Sequence, residues 1–512
     1  MPTPRTRLPS PDTRGVGGAA ALNLAAGVVS ASVGLVIAAL VGRHLGVDGA
    51  GTYFLVVAAF MIAANSVELG ADTGLVRFVS VARAVGRPEE IPVLLRSAVR
   101  PVTVAVVLLV AATAAVVSVV DLRDDVSPWL LAVASAVAGA LAMTAVLLGV
   151  SRGFGGTVAY PLVQNLLLPL VRLGAVVVAV MAGWGVSGLL GAWLAPVPLA
   201  LVVAAAVAVR IARRGAMGRP AVLPPARREL GMRFWEFSAA RGVTACVEIL
   251  LEWIDVILVG ALASPADAGV YAIVTRCVRA GEVVQQAGRI VVGPRISGAL
   301  ARGDIEAAGE IYGVVTAVMI WVAWPFFILL AVFADQVLRI FGPGFAAGAL
   351  PMAVLAVAMA LATAAGTVQT VLLMGGRSKW QLADKSGALA LNVILDLLLI
   401  PMWGITGAAI AWAVTIVVDT AVVVWQVQRL MAVRPSRRHL RLAIAQPLII
   451  VAVPALAARV VLGSSASTML ATTSVLALIY LAMGWVTRDA LGLTSLFTRR
   501  ERCTPDAAGT AR

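Results

Sequence analysis

The sequence predicts an all-α polytopic membrane protein of about 14 transmembrane helices, arranged as two pseudo-symmetric six-helix lobes plus two C-terminal helices. Two observations predict this class. Hydrophobic residues make up 61% of the 512 residues and charged residues only 13%, whereas a soluble domain is nearer half apolar and a quarter charged. Two unrelated phrases also recur at nearly the same offset, which indicates duplication of a unit of roughly 220 residues.

The first recurring phrase, Trp184–Trp193, returns 219 positions later as Trp403–Trp412. The second ends at Tyr53 and returns 218 positions later at Tyr271. Each copy of the unit holds six predicted spans. Because six is even, the two copies have the same orientation in the membrane, and they form a parallel repeat about an axis along the membrane normal. Such a repeat is typical of transporters whose substrate path lies at the interface of two lobes.

Runs of about 20 mainly apolar residues recur along the chain, and each is long enough to cross a hydrocarbon core of about 30 Å as a helix. The predicted spans are 19–41, 52–70, 98–120, 128–149, 160–182, 186–210, 237–261, 269–292, 309–333, 349–374, 381–402, 405–428, 441–462 and 467–487.

These spans predict a domain organisation with a linker between the lobes. Its parts are a disordered cytoplasmic tail over 1–18, an N-lobe of spans one to six over 19–210, a cytoplasmic linker over 211–236, a C-lobe of spans seven to twelve over 237–430, two extra spans within 441–487 and a cytoplasmic tail over 488–512.

The formal net charge of +14 would indicate a nucleic-acid partner in a soluble protein. Here most of the 40 Lys and Arg residues lie in the N-terminal tail, in every second loop and in the C-terminal tail. This distribution follows the positive-inside rule. We therefore predict a multi-pass protein of the plasma membrane with both termini cytoplasmic, and we expect no nucleic-acid partner.

Spans seven and eight carry an unusual number of charges for membrane segments. A charge at mid-bilayer costs about 2.5–3.5 kcal/mol on insertion scales, so several in one helix need a compensating role. Steps of three, four and seven place the charges of each span on one helical face, which predicts either an ion-pair ladder or the wall of a water-filled cavity. The charged residues of span seven are Arg241, Glu248, Glu252 and Asp255, and those of span eight are Arg276, Arg279, Glu282 and Arg289.

A cation site is predicted in the C-lobe. Asn392 and Asp396 are four residues apart and share one face of span eleven. Asp255 and Asp396 each lie about six residues inside the outer end of their helix, so at about 1.5 Å per residue both carboxylates lie near 9 Å depth. Such oxygen ligands suit Na⁺, and an Asp pair can equally carry H⁺. The alternative is that Asp396 and Asp419 only pair with Lys385 or an arginine.

Two stretches resemble polysaccharide-type flippases. Leu391–Ala411 is similar to the family phrase that joins an Asn-x-x-x-Asp pair to Ile-Pro and a glycine-rich turn, and Asp255–Tyr271 is similar to the family's seventh span and following turn. These flippases share a superfamily with lipid II flippases and multidrug exporters. The resemblance covers about 20–430, and it implies a flippase, not an enzyme, that moves a polyprenyl diphosphate-linked saccharide for cell-surface polysaccharide biosynthesis by alternating access.

The resemblance implies roles for the charged residues. Arginine suits a diphosphate because its planar fork stays charged, and an acid in span seven with an Asn-x-x-x-Asp pair in span eleven matches the sodium site of lipid II flippases. The first span differs from the lipid II flippase pattern, since it offers Asn23 and no arginine. The predicted substrate-binding residues are Arg276, Arg279, Arg172, Arg241, Glu248 and Glu252, and the predicted Na⁺ or H⁺ coupling residues are Asp255, Asn392, Asp396 and Thr415.

The expected partners are the lipid-linked saccharide and membrane lipids, with the protein acting as a monomer near a glycan polymerase or glycosyltransferases. No cofactor is expected apart from Na⁺ or H⁺ as a coupling ion. A cation-coupled antiporter for drugs or small molecules is the alternative function, favoured by an acid-lined cavity, whereas clustered arginines favour an anion. A membrane glycosyltransferase or polymerase is disfavoured by the short outer loops, and a non-transporting scaffold would not need intramembrane charge.

Overall fold

The structure is a computed structural model that describes residues 13–119, 127–156, 158–216, 224–436 and 439–491. The described residues form helices joined by short turns, and no strand occurs among them, so the predicted all-α fold is confirmed. Ten helical segments of the described chain are long and apolar enough to cross a membrane by length and composition. The predicted number of 14 spans is not confirmed by this count.

The first eight helices are α1 Thr13–Glu68, α2 Ala71–Ala84, α3 Ile91–Val119, α4 Pro128–Gly153, α5 Leu168–Met181, α6 Val186–Leu194, α7 Val197–Ala216 and α8 Pro224–Leu262. A π-helical segment, Pro161–Leu167, leads into α5. The remaining helices are α9 Pro265–Arg279, α10 Glu282–Ala301, α11 Ile305–Val332, α12 Ala334–Arg339, α13 Ala349–Ala364, α14 Val368–Met374, α15 Ser378–Leu430, α16 Leu440–Pro447, α17 Val453–Leu462 and α18 Ala466–Val486.

Two of the ten membrane segments are too long for one crossing. They run over Leu22–Ala84, 63 residues, and Lys379–Leu430, 52 residues, whereas one crossing takes about 20 residues. Each contains a glycine with positive φ, Gly46 at 68° and Gly404 at 55°. Only glycine adopts such a conformation without steric cost. The sequence predicts loops between these spans, and the structure instead has sharply kinked helices.

The predicted eighth span is broken into α9 and α10. The break falls at Gly281, where an added Cβ would lie 2.5 Å from the Phe327 ring, so close packing requires glycine there. The polar stripe predicted from Arg276 to Arg289 therefore runs over two helices, α9 and α10, and not over one continuous span. Neither this region nor α8 is among the ten apolar segments.

The predicted linker over 211–236 is largely helical. Helix α7 continues to Ala216 and α8 begins at Pro224, while 217–223 lie outside the described residues. At the N-terminus α1 begins at Thr13, inside the predicted tail, and 1–12 lie outside the described residues. The same holds for the C-terminal tail from 492 onward.

The described chain divides into two compact units. Unit 1 holds the described residues up to Ile37 together with Ala63–Ala245, and unit 2 holds Ala38–Ile62 and the described residues from Cys246 onward. The core of unit 1 packs α2, α3 and α4 around residues such as Leu75 and Phe234. The main core of unit 2 is formed by α10, α11, α14 and α15.

Within unit 2, the second recurring phrase forms a helix crossing. Gly51 and Gly269 are equivalent positions of the two copies, 218 residues apart. A Cβ on Gly269 would lie 2.6 Å from the Val47 carbonyl oxygen and 2.7 Å from the Gly51 nitrogen, and a Cβ on Gly51 would collide with the Pro265 carbonyl. Small residues allow two helix backbones to approach this closely. Equivalent glycines of the repeat therefore lie directly against each other.

Candidate functional site

A cavity of ≈ 220 Å³ lies within unit 2, between α8, α9, α10 and α15. Six charged side chains line it, four acidic and two basic, together with Trp412 and Thr415 from the second half of α15. The predicted residues Glu248, Glu252, Arg279 and Thr415 are thus brought together at one cavity. The charged lining residues are Glu248, Glu252, Glu282, Asp419, Arg279 and Lys385.

Both basic residues of the cavity are engaged in ion pairs. The Nη1 of Arg279 lies 2.9 Å from the Glu252 Oε1, and its Nη2 donates to the Glu252 carbonyl oxygen at 2.6 Å. The Nζ of Lys385 lies 2.7 Å from the Asp419 Oδ2, which also accepts from the Gln369 Nε2 at 3.1 Å. The cavity therefore combines an ion-pair network with an excess of acidic groups.

The cavity face of α15 was partly missed by the sequence analysis. Trp412, Thr415, Ile416 and Asp419 all line the cavity, and their spacing of three, one and three residues places them on one helical face. The 3.6-residue period of an α-helix could have identified this face of α15 from the sequence. Thr415 is only 4% exposed, and its Oγ1 has no hydrogen-bond partner in the described residues.

The three predicted coupling residues Asp255, Asn392 and Asp396 meet in the interior of unit 2. They are 4%, 0% and 0% exposed, and the Asn392 Nδ2 donates to the Asp396 Oδ2 at 3.3 Å. The carboxyl group of Asp255 interacts directly with Asp396 and Asn392. It also accepts a hydrogen bond from the Tyr271 hydroxyl at 3.0 Å, a contact that the sequence analysis missed.

One side-chain oxygen of each of these three residues lacks a hydrogen-bond partner among the described residues: Asp255 Oδ1, Asn392 Oδ1 and Asp396 Oδ1. Buried oxygens of this kind are costly unless a donor or a cation satisfies them. Two carboxylates and one amide form a hard oxygen donor set that fits Na⁺, or a proton held between the two acids. No group of three or more His, Cys, Asp or Glu that could hold a metal occurs in the described part of the chain.

Arg276 lies apart from the cavity lining and is held by aromatic rings of unit 2. Its guanidinium lies 4.1 Å from the centroid of the Phe54 ring and 5.3 Å from that of Trp253. The Arg276 Nη1 and the Trp253 Nε1 are buried donors with no hydrogen-bond partner among the described residues. Although one turn separates Arg276 from Arg279, only Arg279 is neutralised by a carboxylate.

The other two predicted arginines lie in unit 1. The Nε of Arg172 donates to the Trp193 carbonyl oxygen at 3.1 Å, and its guanidinium lies 3.8 Å from the centroid of that indole ring. Arg241 acts electrostatically on Glu68. The predicted substrate-binding set is thus divided between the two units, with Arg172 and Arg241 in unit 1.

Unit 1 also contains an acid–base cluster that the sequence analysis missed. The Arg152 Nη2 lies 2.7 Å from the Asp72 Oδ2, and its guanidinium lies 4.3 Å from the centroid of the Tyr160 ring. Glu68 lies close enough to Asp72 for the two carboxyl groups to interact electrostatically. Glu68 ends α1 and Asp72 lies in the first turn of α2, so the spacing of residues along one helix could not have predicted this pair.

These apolar helices and their kinks define an all-α polytopic membrane protein, and comparisons with known proteins agree. A family model described as polysaccharide biosynthesis protein matches residues 18–297. The chain belongs to this polysaccharide biosynthesis protein family. A search of curated protein sequences gives no match.

Solved structures show the same fold at low sequence identity. The lipid II flippase MurJ in an inward closed conformation matches with a TM-score of 0.71 and 12% identity, over 92% of this chain and 99% of that one. An inward-facing multidrug resistance MATE family transporter of the MOP superfamily matches with a TM-score of 0.61 and 14% identity, over 81% and 98%. A MOP superfamily transporter from Pyrococcus furiosus matches with a TM-score of 0.55 and 15% identity, over 82% and 97%.

The chain thus belongs to the polysaccharide biosynthesis protein family and has a fold shared with the lipid II flippase and with transporters of the MOP superfamily. The family and the fold are those of transporters and flippases, not of enzymes. The glycosyltransferase and polymerase alternatives are thereby set aside.

Proposed function

We propose that the protein is a flippase that moves a polyprenyl diphosphate-linked saccharide outward across the plasma membrane by alternating access. The polysaccharide biosynthesis family and a fold similar to the lipid II flippase support this assignment. The product would serve cell-surface polysaccharide biosynthesis. The partners would be the lipid-linked saccharide and the surrounding lipids, with a glycan polymerase or glycosyltransferases nearby and the transporter itself acting as a monomer.

The observation that carries the proposal is the pair of unsatisfied donors at Arg276 and Trp253. Both are buried, both only donate hydrogen bonds, and no acceptor among the described residues satisfies the Arg276 Nη1 or the Trp253 Nε1. The aromatic rings of Phe54 and Trp253 hold the guanidinium in place without neutralising it. Such a site calls for an anionic oxygen ligand, and a diphosphate offers several.

The test is translocation in vesicles reconstituted with the purified full chain. The probe is a fluorescent polyprenyl diphosphate-linked disaccharide, and the matched control lipid carries the same saccharide and polyprenyl chain without the diphosphate. We expect flipping of the diphosphate lipid only, measured by quenching of the fluorophore from outside. Equal flipping of both lipids, or of neither, would contradict the proposal.

A cation-coupled antiporter is the second candidate, because four acids and two bases line the cavity of unit 2. The cavity volume of ≈ 220 Å³ argues against a drug-sized substrate at this place, since sites for such ligands measure about 300–1,000 Å³. The diphosphate-linked lipid therefore remains the leading proposal.

Coupling to Na⁺ or H⁺ belongs to the same proposal. Asp255, Asn392 and Asp396 supply the oxygen donors, and a bound ion or proton would bias unit 2 toward one conformation, which turns binding energy into a population shift. Thr415 is a weaker member of this set, because it lines the cavity, whereas the other three residues do not.

The proposed orientation places both termini and the 211–236 linker on the cytoplasmic side, as the positive-inside rule requires. In a cysteine-free background, Arg213→Cys and Ala263→Cys each place one thiol at an exposed position, the first at the linker and the second in the turn between α8 and α9. We expect a membrane-impermeant maleimide to label Ala263→Cys in intact cells and Arg213→Cys only after permeabilisation. Labelling of both from the same side would contradict the topology.

A further inference from the structure

We infer that the cavity of unit 2 is a binding site for a protonated amino group, carried on a ligand portion no larger than one sugar ring. The cavity is lined by Glu248, Glu252, Glu282 and Asp419 against Arg279 and Lys385. Counted as ionised groups, the six charged lining side chains carry four negative and two positive charges. These acids would repel an anion such as a phosphate and attract a cation.

The charge of each base in the cavity is already balanced by an acid. Arg279 is paired with Glu252, and Lys385 with Asp419. Glu282, by contrast, makes no hydrogen bond or ion pair with another described residue, and Arg279 and Arg289 are the cations that act on it through space. The carboxylate of Glu282 is therefore an open partner for an incoming cation.

A second, independent feature of the cavity points to a ligand that donates hydrogen bonds. Thr415 Oγ1 and Asp419 Oδ1 are buried on residues only 4% and 7% exposed, and neither atom has a hydrogen-bond partner among the described residues. Both line the cavity one helical turn apart. An ammonium group carries three donors and no acceptor, which matches these oxygens and Glu282. The ring of Trp412, on the same face of α15, adds a surface that attracts cations.

The volume limits the size of the occupant. A space of ≈ 220 Å³ holds one six-membered sugar ring but lies below the range for drug-sized ligands of about 300–1,000 Å³. Two sources of the ammonium are compatible with this size, namely an amino sugar of the transported saccharide and a small free organic cation. The amino-sugar source rests on the proposed flippase function, and the ammonium site itself does not.

The test is ligand-observed NMR with the purified full chain in detergent micelles, in KCl of constant concentration and at a pH below the pKa of the amine. The probes are D-glucosamine, D-glucose and methylammonium. We expect D-glucosamine to bind at least tenfold more tightly than D-glucose, which has the same ring and a hydroxyl in place of the amine. Equal binding of the two sugars without binding of methylammonium, or no binding of either cation, would overturn the inference.

The two cations separate the sources. Binding of D-glucosamine without methylammonium supports a sugar amine, because the ring is then needed for recognition. Binding of methylammonium without D-glucosamine supports a free organic cation. Because no lipid is moved in this measurement, its failure is distinguishable from failure of the flippase proposal, which is tested by the diphosphate lipid.

Two variants test whether the cation binds in the cavity of unit 2. Glu282→Gln and Thr415→Val are each expected to weaken binding of the bound cation about tenfold, the loss for one hydrogen bond to a charged group. The matched control for Glu282→Gln is Glu306→Gln, at an exposed position of α11. The matched control for Thr415→Val is Thr316→Val, which removes a buried hydroxyl that donates to the Tyr312 carbonyl oxygen. Both controls should bind as the unaltered protein does. Unchanged affinity for the cation in both cavity variants would show that the cation binds elsewhere, and it would overturn the inference.

Discussion

Replacement of Arg276 by alanine is expected to lower the rate of diphosphate-lipid translocation about 10- to 100-fold, while the protein still inserts and elutes as one species. The physical reason is the loss of a hydrogen-bonded charge contact, worth about 1.5–3 kcal/mol, and each 1.4 kcal/mol corresponds to tenfold. The guanidinium packs against two aromatic rings and forms no ion pair among the described residues, so its removal leaves no ion-paired carboxylate behind. The measurement is the initial flipping rate in reconstituted vesicles.

Three further variants make this prediction specific. Arg276→Lys should restore part of the rate, because the ammonium keeps the charge but lacks the bidentate fork. Trp253→Phe should cause a smaller loss, because it keeps the ring and removes the unsatisfied Nε1 donor. The control is Arg233→Ala, an arginine 69% exposed in a surface pair with Glu229, where exposed pairs contribute little. An unchanged translocation rate in Arg276→Ala would show that Arg276 does not bind the diphosphate headgroup.

Asp396→Asn is expected to abolish the stimulation of transport by an ion gradient. The substitution keeps the shape of the side chain and removes one of the two carboxylates that face each other in unit 2. With only Asp255 left charged, the site loses half of the negative charge that would bind Na⁺ or H⁺. The measurement compares flipping rates with a sodium gradient alone, with a pH gradient alone and with neither.

A matched acid on the same helix controls for the loss of a charge. Asp384 lies in α15 and accepts a hydrogen bond from the Gln426 Nε2 at 2.7 Å, outside the Asp255 cluster. Asp384→Asn should keep the response to whichever gradient drives the unaltered protein. Binding of the diphosphate lipid should persist in Asp396→Asn, since Arg276 is intact. If the Asp396 variant still responded fully to the gradient, the three residues would form a structural cluster without a coupling role.

Several features of the site could be read from the chain alone because they are local. The four-residue spacing of Asn392 and Asp396 predicts one helical face, and the matching depth of Asp255 in span seven predicts its proximity. The structure brings these three side chains together. Tyr271 is the partner that such spacing could not provide, because its contact with Asp255 depends on how α9 packs beside α8.

The contacts of the neighbouring arginines in span eight could not be predicted from residue spacing. Arg276 and Arg279 have the same residue type and lie one turn apart, yet one contacts two aromatic rings and the other pairs with Glu252. The stripe that periodicity predicts through span eight is also divided between two helices, α9 and α10. The spacing of residues along the sequence shows which side chains share a face of one helix. Ion pairing depends instead on which other helix packs against that face.

The sequence by itself determined that the protein is an all-α membrane protein with a duplicated unit, because hydrophobic run length, charge asymmetry and internal repeats are properties of the chain. The crossing of equivalent glycines at Gly51 and Gly269, the ion pairs of Arg279 and Lys385 and the acid-rich cavity beside Trp412 were decided only by the tertiary structure. The physical reason is that each joins segments far apart in the chain, and their contact depends on close packing, which no local pattern encodes.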